Sequence, residues 1–213
     1  MNQKSLKYKI WTVVFLIIVV CGSTAMLSTI YANTKTDIEQ NELTKLKQNI
    51  LNVFDIPYDQ SNIESVFNEN ITIEKINGID IYRASEGLAF EINGSGFWDK
   101  ISVLLALEYD METIKGIKVL KNNETPGLGS RITEEWFLGQ FKGKNVKPEI
   151  KIISQKKLPH QTIDTTTSAT YDKRKKNEVD AITGATQTSK SLEKLINNGV
   201  KMFYQKTSLE NNG

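Results

Sequence analysis

The run K-I-S-V-L-L-A-L-E, Lys100 to Glu108, and the run T-I-K-G-I-K-V-L, Thr113 to Leu120, decide the fold class. Both are short, rich in Val, Ile and Leu, and bounded by polar breaks, which is the signature of strands. Working backward, L-A-F-E-I, I-D-I-Y-R-A and I-T-I-E-K-I repeat the texture, with Gly78 and Glu86-Gly87 at turn positions. The alternation predicts an antiparallel sheet of consecutive strands. Working forward, the pattern predicts a helix over 131–141 and a strand over 149–153. Ser154 to Asn177 is rich in Thr and Lys without periodicity and reads as an irregular excursion. From Ser189 the apolar residues Leu192, Leu195, Ile196, Val200 and Phe203 fall at helical period, with Thr188 or Ser189 as N-cap. The fold class is therefore α+β, a mainly antiparallel sheet with flanking helices.

The N-terminal part has a different character. Ile10 to Thr34 carries no charge, which exceeds the roughly 20 residues that a helix needs to cross the hydrocarbon core. Trp11 and Tyr31 stand at its ends, where amphipathic rings favour the headgroup layer. Lys4, Lys7 and Lys9 precede it, which by charge asymmetry sets the N-terminus in the cytoplasm and the remainder outside. Cleavage after Ala25 with Ser23 at the −3 position is the competing reading, but the run is long for a signal peptide. Lipidation at Cys21 is disfavoured by Val20, where a small residue is needed. Thr34 to Phe54 reads as a polar stalk helix ended before Pro57, and Ser61 to Asn68 as another short helix. The expected organisation is a cytoplasmic N-terminus (1–9), a membrane helix (10–33), a stalk and linker (34–60) and an extracytoplasmic domain (61–213).

Composition removes several classes of function. Of the 213 residues, 27 are basic and 25 acidic. With the three N-terminal lysines set aside the balance is near neutral, so no nucleic-acid footprint is expected. The single Cys21 excludes an intramolecular disulfide and a Cys-rich metal site. His160 is the only histidine and has no ligand partners at usable spacing, so no metal centre and no acid–base catalytic set are expected.

Three stretches remain that can carry chemistry. In N-E-T-P-G-L-G-S-R-I, Asn123 to Ile132, Pro126-Gly127 signals a type II turn. Gly129 allows a second close backbone approach, and Leu128 can pack on a flat ring. Alone the stretch equally describes a strand-to-helix connection. In G-S-G-F-W-D, Gly94 to Asp99, two glycines plant Phe97 and Trp98 at a bend, for core packing or for stacking on a ring. In D-A-I-T-G-A-T-Q-T-S, Asp180 to Ser189, four hydroxyls surround Gly184-Ala185 just before the last helix. There backbone N–H groups and the macrodipole favour a phosphate. A similar copy, D-T-T-T-S-A-T from Asp164 to Thr170, lacks the glycine and the helix, so Thr186 is the better hydroxyl. Physical reasoning does not name the phosphate's owner.

D-A-I-T-G-A-T resembles the Asp-x-x-(Ser/Thr)-Gly-Ala-Thr signature of covalently flavinylated FMN-binding domains. These occur in the G-type subunit of the Rnf complex and the C-type subunit of the sodium-translocating NADH:quinone reductase. E-T-P-G-L-G, G-S-G-F-W, L-K-Q-N-I-L and W-F-L-G-Q-F-K-G-K also fit, in order along nearly the whole chain. The K-R-K-K-N-E-V run before Asp180 departs from the Gly-rich sequence common in the Rnf branch. The resemblance implies FMN joined through its phosphate to Thr186 by a flavin transferase, with Thr183, Gly184, Ala185 and Asp180 completing the motif. It further implies cofactor contacts from Glu124, Thr125, Gly127, Leu128, Gly129 and Trp98. The implied role is an electron-transfer subunit of an ion-translocating membrane redox complex, partnered by its other subunits. The alternatives are a stand-alone membrane-anchored extracytoplasmic flavoprotein reductase and a non-redox membrane-anchored binding domain.

Overall fold

The structure, a computed structural model, describes residues 3–154 and 176–208. The readings of the 154–177 excursion, of His160 and of the Asp164–Thr170 copy fall largely or wholly outside these residues. Two compact units are resolved, Met1–Lys45 and Leu46–Gly213.

The first unit is helical throughout its described length, as part of α1 (Gln3–Val53). Among the described residues α1 is the one helix long and apolar enough to cross a membrane. Trp11 is 74% exposed and Ile18 65%, so no described residue covers this apolar surface. The hydroxyls of Thr12, Ser23, Thr24, Thr29 and Thr34 each donate to the carbonyl one turn back, at 2.8–2.9 Å. Such back-bonding satisfies a hydroxyl where no water is available.

The second unit begins fifteen residues earlier than the sequence boundary at 61, because the end of α1 belongs to its core. Ile50 and Leu51 are completely buried, with Val53 and Phe54 beside them. They pack with Ile63 and Phe67 of α2 (Ile63–Asn70) against Ala89, Leu104 and Ala106 of the sheet.

That sheet has five strands in chain order, all antiparallel: β1 (Thr72–Ile76), β2 (Ile79–Ala84), β3 (Gly87–Ser95), β4 (Lys100–Glu108) and β5 (Ile114–Asn122). The antiparallel expectation holds strand by strand. β4 is buried from Ile101 to Leu107, which explains why its sequence is a continuous apolar run rather than an alternation. Its Ile101, Val103, Leu105 and Leu107 face one core, and its Leu104 and Ala106 the other.

The first of these cores is closed by α4 (Thr186–Ser208). Leu192, Leu195, Ile196, Val200 and Phe203 are all buried, each side chain contributing about 1.5–3 kcal/mol by removal from water. Phe203 stacks on Phe90 of β3, with centroids 4.1 Å apart and planes within 8°. Gly199 sets the spacing, since a Cβ there would lie 2.3 Å from Ile92.

Two expectations are corrected. The helix over 131–141 is broken into a 3-10 turn (Gly129–Thr133), a single α-turn α3 (Glu135–Leu138) and a second 3-10 turn (Gly139–Phe141). Ile132, Phe137, Leu138 and Phe141 are all buried there, and a regular helix would not turn all four inward in so short a span. The late strand spans only β6 (Lys151–Ile153), and it pairs in parallel with β7 (Glu178–Asp180), which leads into the hydroxyl-rich stretch.

Candidate functional site

The three stretches separated in sequence converge on the carboxylate of Glu124. G-S-G-F-W-D is the loop of the β3–β4 hairpin, closed by the Gly96 N–H donating to the Asp99 carbonyl at 2.7 Å. Asp99 accepts from Asn123 at 2.7 Å and from the Lys100 N–H. These donors, the Asn123 amide first, hold its carboxyl below the usual aspartate range. Phe97 and Trp98 occupy the tip as an edge-to-face pair with centroids 5.1 Å apart. Both are exposed, at 50% and 70%. Their backbone N–H groups donate to Glu124 Oε1 at 2.8 and 3.0 Å.

Glu124 itself is only 4% exposed. Its other oxygen, Oε2, accepts from the Thr188 hydroxyl at 2.9 Å, and Thr188 is as deeply buried. The carboxylate thus takes three donors from two elements, which offsets the cost of burying a charge.

Two glycine turns lie above this clamp. The Leu128 N–H donates to the Thr125 carbonyl at 3.2 Å, and Gly127 at the third position has φ +74°. The Ala185 N–H donates to the Ile182 carbonyl at 3.0 Å, and Gly184 at the third position has φ +84°. Glycine at that place with positive φ is what a type II turn requires. Space around a Cβ at Gly127 is open. At Gly184 a Cβ would meet Leu128 at 3.5 Å, so the two turns touch. Gly129 is buried and approaches protein: a Cβ there would lie 2.7 Å from the Thr188 hydroxyl and 2.9 Å from Glu124.

The last helix begins at Thr186, earlier than the cap expected at Thr188 or Ser189. Those hydroxyls are engaged inside the first turns. Ser189 Oγ accepts from the Ile182 N–H at 3.2 Å and donates to the Ala185 carbonyl at 3.0 Å. Of the four hydroxyl residues, Thr188 and Ser189 are buried, and Thr183 and Thr186 are exposed. Thr186 is the first helical residue, at the positive end of the 23-residue α4.

The expected site residues therefore divide by exposure. Thr183, Gly184, Thr186, Thr125, Gly127, Leu128 and Trp98 are exposed. Glu124, Gly129, Ala185 and Asp180 are buried. The Asp180 N–H donates to Gln140 Oε1 at 3.0 Å, fixing the strand before the motif. Thr188 and Gln140 support the site without having been singled out for it. Their partners lie 64 and 40 residues away, so no local signal marks them. Nearby, Glu134 is held below the usual glutamate range by the Trp136 indole N–H and then by Arg131. The Arg131 guanidinium sits 5.4 Å from the Trp136 ring centroid. Among the described residues no cluster of His, Cys, Asp or Glu is arranged to hold a metal ion.

A buried clamp under two touching turns, with an apolar rim and a helix start, suits a flat ring bearing an anionic group. Residues 96–201 match the FMN-binding domain family. It is 34% identical over 109 residues to the G-type subunit of the Na(+)-translocating ferredoxin:NAD(+) oxidoreductase complex of Acetobacterium woodii, covering 51% of this chain and 44% of that protein. It is 33% identical over 100 residues to the C-type subunit of the Na(+)-translocating NADH-quinone reductase of Vibrio campbellii, covering 45% of this chain and 37% of that protein. The alignments thus span less than half the length of these two relatives. The G-type subunit of the ion-translocating oxidoreductase complex of Methanosarcina acetivorans matches at 25% identity over 88% of this chain and 90% of its own length. The fold is shared with the crystal structure of NqrC from Shewanella oneidensis, with a TM-score of 0.59 at 16% identity, covering 72% of this chain and 89% of that one. The C-type subunit of the Na(+)-translocating NADH-quinone reductase of Parabacteroides distasonis gives a TM-score of 0.57 at 23% identity, over 78% and 92%.

Proposed function

We propose that this chain is a membrane-anchored electron-transfer subunit of an ion-translocating redox complex of the Rnf or Na(+)-NQR kind. It carries FMN joined through its phosphate to Thr186. The observation that supports this most is the meeting of three separated stretches at Glu124, beneath exposed Thr186. FMN fits what stands there. Open space over Gly127 and the apolar surfaces of Leu128, Phe97 and Trp98 suit the ring, and the start of α4 suits the phosphate.

In this reading FMN supplies the redox chemistry, and the chain supplies position and electrostatics. Thr186 offers an accessible hydroxyl where its buried neighbours Thr188 and Ser189 do not. The N–H groups of the first turn of α4 favour a phosphate beside it. Gly184 and Ala185 keep the approach free of bulk, and Thr183 shares the exposed turn. Leu128 and Trp98 would offer apolar surface to the ring. Asp180, at the end of β7, orients the motif while the linkage forms. The apolar part of α1 anchors the domain, and the lysines before it hold the N-terminus in the cytoplasm, so the flavin lies on the outer side. Maturation requires a flavin transferase, and function requires the other subunits of the complex.

The test is the intact mass of the chain made with and without a flavin transferase. The expected result is an increment equal to FMN less one water only with the enzyme, and a yellow colour that survives denaturation. An unchanged mass under both conditions overturns the covalent assignment.

A further inference from the structure

Glu124 belongs to the E-T-P-G-L-G stretch, yet its carboxylate does not face the rim. Three protein donors reach it: the N–H groups of Phe97 and Trp98, and the hydroxyl of Thr188. The carboxylate is buried and closely approached on two sides. A Cβ on Gly96 would lie 2.4 Å from Oε1, and one on Gly129 would lie 3.0 Å from Oε2. At both positions a side chain larger than hydrogen would crowd the carboxylate. Its backbone is fixed too, with the Glu124 N–H donating to Asn122 Oδ1 at 2.8 Å.

The consequence falls on Trp98. The indole is 70% exposed, and its described ring contact is the Phe97 ring beside it. An exposed hairpin tip with so little packing has low local stability. The backbone bonds to Glu124, together with the Asn123–Asp99 bond, tie this tip to the body of the domain. Thr188, the third partner, stands two residues after Thr186 on the same first turn of α4. One carboxylate therefore sets the aromatic tip in register with the turn that bears the proposed attachment point.

We propose that Glu124 is a positioning residue, which acts on the flavin through Phe97–Trp98 and through Thr188 and never touches it. This rests on the FMN reading above. It moves Glu124 from the residues that contact the cofactor to those that arrange them.

The test uses the full-length chain with Trp11→Phe and Trp136→Phe, so that Trp98 is the only tryptophan. Trp98 fluorescence anisotropy is read before any flavin is attached, and loading is then read as the mass increment after exposure to the transferase. Glu124→Ala leaves three donors without a partner. It is expected to lower Trp98 anisotropy and to cut loading at least tenfold, while the far-UV signal of the sheet and α4 persists. Glu124→Gln keeps the shape and can still accept from Phe97 and Trp98. It is expected to restore the anisotropy and most of the loading. Should Glu124→Ala fail to fold, Thr188→Val carries the test, since it removes one donor and keeps the size. It is expected to reduce loading severalfold with anisotropy partly retained. Unchanged anisotropy and loading in Glu124→Ala, or in Thr188→Val where that replaces it, overturn the proposal. So does a Glu124→Gln chain with an ordered Trp98 but no loading, which would make the charge itself a flavin contact. Failure of the FMN reading looks different: the parent chain would take no flavin, while the anisotropy change in Glu124→Ala would remain.

Discussion

Leu128 closes on Gly184, so that a Cβ placed on Gly184 would lie 3.5 Å from the leucine Cδ2. Fifty-six residues of sequence separate the two, and each follows or occupies the positive-φ corner of its own turn. Neither turn alone forms a cradle. Their contact does, and each prediction below disturbs one part of what surrounds it.

Thr186→Val keeps the branched shape at the first position of α4 and removes the oxygen. The covalent FMN increment is expected to vanish while the melting temperature stays within a few degrees of the parent, because Thr186 is exposed. Thr170→Val is expected to leave the increment intact. Intact-mass measurement of both variants decides the matter, and an increment that follows Thr170 refutes the assignment.

Gly127→Val separates strain from collision. No atom lies within 4 Å of a Cβ there, so the whole cost comes from the backbone at φ +74°. A β-branched residue held at positive φ costs on the order of 1–3 kcal/mol, and relaxing the turn moves Leu128 away from Gly184. Thermal unfolding is expected to shift downward and flavin loading to weaken, with α1 unaffected. Full loading at unchanged stability would return this loop to a simple connection.

The antiparallel expectation, the five strands of the sheet and the apolar stripe of α4 were legible because each rests on local periodicity. L-A-F-E-I and K-I-S-V-L-L-A-L-E carry their pairing partners within a hairpin of one another. The break of the 131–141 helix was not legible. W-F-L-G-Q-F has helical spacing, and only the demand to bury Ile132, Phe137, Leu138 and Phe141 together overrides it. β7 was missed because three residues, one of them Val179, give no period to read. In the site, the exposed turn residues were legible from Pro126-Gly127 and Gly184. The hydrogen-bond partners of Glu124 were not, since they depend on where residues 97, 98 and 188 arrive in space.

Asp110 provides a pH test away from the site. Its carboxylate accepts from the Thr113 hydroxyl and from the Thr113 and Glu112 N–H groups, which lowers its pKa from the ordinary 3.8, the Thr113 hydroxyl contributing most. A group depressed in the folded state adds stability above its unfolded value and loses it as pH falls through the folded value. The melting temperature is therefore expected to decline more steeply once pH drops below about 3.8. Asp110→Asn is expected to flatten that decline, and identical acid profiles for variant and parent would contradict the account.

A reporter fused after Gly213 tests the orientation. With Lys4, Lys7 and Lys9 retained on the cytoplasmic side, an enzyme active only outside the cytoplasm is expected to function, and one active only inside is expected to stay silent. The reverse pattern would place the flavin domain in the cytoplasm.

The stacking of Phe203 on Phe90 also bears on how the molecule is made. The five strands are complete by Asn122 and pair with their immediate neighbours, a topology that assembles quickly as the chain emerges. The clamp includes Thr188, and Phe203, five residues before the end of the described helix, is the last of the buried residues that dock α4. On the FMN reading proposed above, a chain clipped before Phe203 is expected to form the sheet and to take up less flavin than the full chain, so that colour would report a completed closure.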